Sequence, residues 1–434
     1  MQLTLRPALS AFVIATAAIA ELALAVPSAH AASNHHLVQR SQNHRGIVAR
    51  DVQSSSSPLL QAAKRANPQR IQRRCRVRPT SSSSTSASTA ASSSTGSVSS
   101  TQILGGSASS TASSTATSTD SSSAPGSSST VEVQGDTPWR LTNKVQGKNF
   151  FDQWDFWSFA DPTHGNVNYV DPGTAWNEGL VQVNDAGQAI MRVNTDDYVG
   201  NRKSVRLHSK QVVNKNSLVV LDAEHMPTGC GTWPAWWMNG PNWPAGGEID
   251  ILEGVHDDTT NHATLHTTAG CTASSDASHP STGQLTNAQC GFINGDNSGC
   301  GYADVSTNTG YGAGFNSAKG GVYVMQWVDS GISVWYFPRG AIPADLVAEK
   351  PMPWTWPSPF ARWSTNTCNV DQFFRDHITI FNTTFCGDWA GATWQSSGCA
   401  DKTGYSSCAA FVSEKGSAFH EAYWTVNYVK YFQQ

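Results

Sequence analysis

Three carboxylates fall within six residues in the stretch Gly246-Gly247-Glu248-Ile249-Asp250-Ile251-Leu252-Glu253-Gly254. The aliphatic residues at 249 and 251 favour a strand, and the flanking glycines bound it. Alternate residues of a strand share a face, so Glu248 and Asp250 point one way and Ile249 and Ile251 the other. Glu253 breaks that period and would be driven into the core, where an unpartnered charge is very costly. One extra residue, a β-bulge near Ile251–Leu252, returns Glu253 to the face of the other two acids. The two glutamates then lie about 13 Å apart at Cα. Their long arms can lean together toward the ~5–5.5 Å separation used in double-displacement cleavage of a glycosidic bond. One carboxylate would serve as nucleophile and the other as proton donor, with Asp250 on a shorter arm between them. The competing reading is a solvated acidic strand.

Such a pair needs a rigid sheet to hold it, and the sequence after residue 130 reads as one. Alternating or aliphatic runs occur at 180–193 (a hairpin turning at Asp185-Ala186-Gly187), 204–209, 217–223, 262–267, 321–337, 377–381 and 423–432. Helical signals are weak; 343–349 offers one or two turns. Many short strands between turns predict an all-β fold, a sandwich or barrel. Two curved sheets would leave a concave face where a polymer could lie.

Composition divides the 434 residues into four parts. Residues 1–31 resemble a secretory signal peptide: Arg6, an apolar run, then Ala29-His30-Ala31 as a cleavage site. Residues 32–79 form a basic arm or pro-segment, with dibasic pairs Lys64-Arg65 and Arg73-Arg74. Residues 80–130 are almost entirely Ser, Thr, Ala and Gly, a composition that cannot bury a core and suits a disordered, glycosylated linker. Residues 131–434 hold all sixteen Trp and eight of the nine cysteines, and form the predicted folded domain. That part is acidic, with 17 Lys/Arg against 29 Asp/Glu. An exported, acidic domain argues against nucleic acid as a partner, and no membrane span is expected once the signal is removed. Eight cysteines predict four disulfides, with pairing open, and leave Cys75 over. No tight Cys-x-x-Cys pair suggests a metal site, and no cofactor is expected. Asn382-Thr383-Thr384 is an N-glycosylation sequon.

Indoles gather before the acids: Trp233, Trp236, Trp237 and Trp243 all precede Glu248 closely. Indole suits the apolar face of a pyranose ring. Their setting among Pro, Gly and Asn reads as a partly exposed lining rather than a periodic strand.

The Glu-Ile-Asp-Ile-Leu-Glu stretch, the Gly231–Trp237 run before it and His266-Thr267 after it resemble the fungal laminarinase branch of family-16 glycoside hydrolases. Asn149–Asp152, Asp161–Gly165 with Tyr169–Asp171, and Phe385–Trp389 match the same pattern in the same order. The resemblance covers essentially all of 135–434. It implies a concanavalin-like jelly-roll β-sandwich with a cleft across its concave sheet. It implies retaining hydrolysis of β-1,3-glucans, some with mixed linkages. With the signal peptide, the protein is expected to be secreted or cell-wall associated, and it is expected to be a monomer. Carried over to this chain, Glu248 matches the nucleophile, Glu253 the acid/base and Asp250 the assisting carboxylate. His266 matches a histidine near the acid/base, Trp236 and Trp243 the sugar-stacking positions, and Arg206 a cleft-lining arginine. Two alternatives share the fold: a cell-wall glucan transglycosylase and a non-catalytic glucan-binding lectin. The lectin gives no reason for three acids.

Overall fold

The computed structural model describes residues 135–274 and 280–434. The expected signal peptide, basic arm, linker and Cys75 lie outside the described residues.

Eighteen strands occur among the described residues. The first eight are β1 (Arg140–Val145), β2 (Trp154–Phe156), β3 (Val167–Tyr169), β4 (Val181–Val183), β5 (Ala189–Arg192), β6 (Arg202–Ser204), β7 (Arg206–Val213) and β8 (Ser217–His225). Then come β9 (Thr232–Asn239), β10 (Glu248–Glu253), β11 (His262–His266), β12 (Gln284–Asn287) and β13 (Cys300–Ala303). The last five are β14 (Gly321–Val328), β15 (Gly331–Pro338), β16 (Ala361–Ser364), β17 (His377–Phe385) and β18 (Tyr423–Gln433). Two large antiparallel sheets result. The outer sheet runs β16-β15-β14-β8-β18-β5-β4, with β1 also paired to β18. The second, the cleft sheet, runs β12-β13-β11-β10-β9-β17-β7-β2. The all-β sandwich expectation therefore holds, and each of the runs named from the sequence contains strand.

The core explains why the aliphatic runs read as they do. In β8, Val219 and Leu221 face the space between the sheets, with Ile249, Ile251 and Leu252 of β10 in the same cluster. Leu218 and Val220 face the other way, against Trp139, Val322, Val324, Trp335 and Phe337. A strand buried on both faces loses the alternation of polar and apolar residues. Helices are short, such as Pro172–Asn177 and Cys408–Glu414. Segments this brief carry too little periodicity to be legible in a sequence.

Four disulfides form: Cys230–Cys399, Cys271–Cys368, Cys290–Cys300 and Cys386–Cys408. Two of them hold the segment from Cys386 through Cys408 against the end of the cleft sheet. Cys230–Cys399 closes 169 residues of chain, and a native cross-link of that kind is worth about 2–5 kcal/mol.

Candidate active site

Strand β10 carries the acids, and its register is irregular where the sequence requires it to be. Against β9, Asp250 pairs with Trp237 and Leu252 with Trp236, so Ile251 is the extra residue. Ile251 and Leu252 both enter the core, and Glu253 turns back toward Glu248. The bulge expected from the cost of burying Glu253 is present. The turn into β10 depends on Gly247, whose φ is +79° and whose absent Cβ would lie 2.6 Å from the Phe373 carbonyl oxygen.

All three acids are nearly inaccessible, at 2% for Glu248, 0% for Asp250 and 2% for Glu253. Indoles and an imidazole meet them. Trp243 Nε1 donates to Glu248, and Trp233 Nε1 donates to Glu253 Oε1 at 2.9 Å. His266 Nε2 lies 3.2 Å from Asp250 Oδ2, while its Nδ1 bonds Asn297 Oδ1 at 3.0 Å. With Nδ1–H given to the amide oxygen, Nε2 of a neutral ring is an acceptor. In that tautomer a hydrogen bond to Asp250 needs a proton on one of the two groups. Ligating atoms of Glu248, Asp250 and His266 all lie within 4.8 Å of one another. Gly299 makes room for the ring: a Cβ there would meet His266 Cε1 at 2.6 Å.

Glu248 and Glu253 line one recess with Asp161, Thr163, Arg206, Trp233, Trp237 and Asn382. It crosses from β10 over β9 and β17 to β7. Arg206 is fixed between two indoles, 5.0 Å from the Trp157 ring and 5.1 Å from Trp237. Its Nε donates to His208 Nε2 at 3.0 Å. Burial and the Arg206 charge push the His208 imidazole well below its usual range, so it stays a neutral acceptor. Arg206 thus lines the cleft and is buried there rather than standing on the surface. Asp161 ties the neighbouring loop to the sheet, accepting from Thr384 Oγ1 at 2.5 Å and from the Gly165 N–H at 3.2 Å.

Three expectations need correction. Trp236, expected to stack on sugar, is fully buried and packs on Phe381 in the core. The Trp run is itself a strand, β9, so alternation sends Trp233 and Trp237 to the cleft face and Trp236 to the other. All four indoles are buried rather than partly exposed. Asn382, expected to carry a glycan, sits in the middle of β17 with β7 and β9 on either side. It accepts from Trp237 Nε1 at 2.7 Å and lines the recess, so a glycan there would occupy the cleft floor.

Other residues at the site went unnamed in the sequence. Asn297 reaches His266 from a loop and had no signal. His262 shares the face of His266 by the same alternation, and period two could have found it. Its ring stands edge-on to Trp389 at 6.0 Å, and Trp389 stands edge-on to Trp233 at 5.7 Å. Burial pushes His262 below its usual range, against the pull of Asp258 and Glu253.

A two-sheet sandwich with a carboxylate strand at the floor of an indole-lined recess is the architecture of concanavalin-like glycoside hydrolases. The profile of the XgeA-like, catalytic GH16 domain matches residues 154–432. A Schizosaccharomyces pombe protein named as a probable glycosidase is 39% identical over 296 residues, covering 68% of this chain and 69% of its own length. An Aspergillus clavatus protein named as a probable endo-1,3(4)-beta-glucanase is 39% identical over 316 residues, covering 71% of this chain and 48% of its own length. The chain thus spans about half the length of that relative. Among solved structures, an elongating GH family 16 beta-1,3-glucosyltransferase is 39% identical with a TM-score of 0.63, and the match covers 68% of this chain and 100% of that one. Laminarinase 16A from Phanerochaete chrysosporium, with 6-O-glucosyl-laminaritriose in its donor and acceptor sites, is 37% identical with a TM-score of 0.63, covering 68% and 99%. The chain belongs to glycoside hydrolase family 16.

Proposed function

We propose that this protein is a secreted, retaining endo-glycosidase that cleaves β-1,3-glucans, including mixed β-1,3/1,4 or β-1,3/1,6 chains. The observation that carries the proposal is the bulge at Ile251, which brings Glu248 and Glu253 into one recess. The relatives named as endo-1,3(4)-glucanases support the substrate class.

In the first step Glu253 gives its proton to the glycosidic oxygen as the bond to the anomeric carbon breaks. A Glu248 oxygen bonds that carbon, forming a glycosyl ester. In the second step Glu253 takes a proton from water, the water oxygen bonds the anomeric carbon, and Glu248 leaves as carboxylate. The Trp243 N–H orients Glu248, and Asp250, sharing a proton with His266, stands beside it. Arg206, Trp237 and Asn382 offer donors, an acceptor and an apolar ring edge to successive sugars across β9, β17 and β7. Trp243 lies at the nucleophile and serves as a sugar platform there.

The region from about residue 131 is the catalytic domain and acts as a monomer, which sedimentation at a single-chain mass would test. The sequence before it acts as signal, basic arm and linker. Four disulfides fit an oxidising compartment, and the protein is expected in the culture medium or on the wall. A mature N-terminus that retained residues 1–31 would contradict secretion by this route. No helix among the described residues is long and apolar enough to cross a membrane.

The deciding experiment is product analysis on laminarin, mixed-linkage β-glucan and cellulose, with proton NMR of the first anomer formed. Short β-anomeric products from the first two glucans are expected. An α-anomer, or glucan retention without cleavage, would overturn the proposal. The glucosyltransferase relative favours a second reading, in which a sugar hydroxyl resolves the glycosyl ester; products longer than the substrate would select it.

A further inference from the structure

The bulge that turns Glu253 into the recess leaves a gap in the sheet. Strand β10 pairs with β11 at Glu248–His266, Ile249–Leu265 and Asp250–Thr264, and that ladder stops there. On the other side, pairing with β9 continues to Glu253–Ala235. Beyond Asp250, the backbone groups of β10 that face β11 have lost their strand partner.

One side chain fills the gap. Asn261, at 0% exposure, stands immediately before β11. Its Nδ2 donates to the Ile251 carbonyl at 2.9 Å. Its Oδ1 accepts from the Glu253 N–H at 2.9 Å. The side-chain amide thus reproduces a peptide group of the missing strand: one donor and one acceptor, meeting the two groups on either side of Leu252. Its own carbonyl accepts from the Asp304 N–H at 2.9 Å, which ties position 261 to the far side of the sheet as well.

We infer that Asn261 is a positioning residue for the acid/base: by clamping Ile251 and Glu253 it holds the bulge, and so keeps the Glu253 carboxyl in the recess. The physical argument is register. A one-residue slip sends every following side chain to the opposite face. A regular β10 would satisfy its backbone against β11 but would carry Glu253 into the core. Asn261 makes the bulged register the one in which the buried N–H and C=O are both bonded. Aspartate has nearly the same shape, yet when ionised it only accepts, so it cannot serve the Ile251 carbonyl.

The inference rests on the proposed role of Glu253, and its test separates the two. A laminari-oligosaccharide has a poor leaving group that needs the proton of Glu253. A 2,4-dinitrophenyl β-laminaribioside has a leaving group that departs without one. Asn261→Ala and Asn261→Asp are compared with the parent and with Glu253→Ala by kcat/KM on both substrates, alongside thermal unfolding. General acid catalysis supplies about 10²–10⁴-fold. A displaced Glu253 should forfeit roughly 10- to 100-fold of that on the oligosaccharide and under about threefold on the dinitrophenyl substrate. Glu253→Ala should show the same asymmetry, more strongly. Equal losses on both substrates, no loss on either, or failure of both Asn261 variants to fold would overturn the inference and leave Glu253 in place. A Glu253→Ala variant with no leaving-group dependence would instead remove the reading of the acid/base itself.

Discussion

On the outer sheet, Asp222 lies against Arg339 in a two-pronged ion pair, at 2.7 and 2.9 Å, and Lys430 meets Glu349 at 3.0 Å. On the cleft sheet, Glu248, Asp250 and Glu253 lie side by side, each at most 2% exposed, and are met by indole N–H groups and a histidine. The outer sheet cancels its buried charge with opposite charge, which limits the desolvation cost. The cleft sheet gathers like charge, which opposes folding. Charge paired with its opposite on the outer sheet differs visibly from the like charge gathered at the proposed catalytic site.

That contrast can be broken by experiment. The largest effect is expected from Glu248→Gln or Glu253→Gln. Turnover of laminarin should fall by roughly 10³-fold or more, as for other removed nucleophiles and acids. The thermal midpoint should hold or rise, because one like charge has gone. Turnover within tenfold of the parent for either variant would erase the distinction between the sheets. Asp250→Asn should cost less, about 10- to 100-fold in kcat, since it removes a neighbour of the reacting groups. A change in KM alone would place Asp250 in substrate binding instead.

The outer sheet should respond in the opposite sense. Arg339→Ala should leave kcat unchanged and cost about 1–2 kcal/mol in urea unfolding, a modest value because Arg339 is partly exposed. Lost activity with unchanged stability would contradict the division of labour. The last effect is one of pH and concerns His377, a buried imidazole of β17 that stands edge-on to Trp327 at 5.2 Å. Burial pushes it down to about 3, whereas a free imidazole titrates near 6.5. Between those values the unfolded chain binds the extra proton, so stability should fall as pH drops from about 6.5 toward 3. His377→Leu should recover ~3 kcal/mol of that acid loss, read from unfolding at pH 7 and pH 4. An unchanged pH slope would assign the loss to other groups.

The carboxylate strand was the most legible part of the site because two local rules collided there. Alternation put Glu253 in the core and solvation forbade it, so only a bulge could satisfy both. The Trp run was less legible, since Trp-Pro-Ala-Trp-Trp satisfies both a lining and a strand. Once β10 and β17 flank it, pairing on both edges makes β9 a strand and decides which indole faces the cleft. The sequon at Asn382 misled for a related reason: three residues describe an acceptor motif but not whether the strand around it has neighbours.

By itself the sequence determined what depends on near neighbours: the strands, the need for a bulge, the acids on one face, and cysteines enough for four disulfides. Tertiary structure alone decided what depends on distant partners. It chose which cysteines pair, brought Asn297 to His266 and Asn261 to the bulge, and wedged Arg206 between Trp157 and Trp237. The physical reason is that burial and hydrogen-bond satisfaction are set by which strands become adjacent. Trp157, Arg206 and Trp237 stand far apart along the chain and meet only when the sheet is assembled.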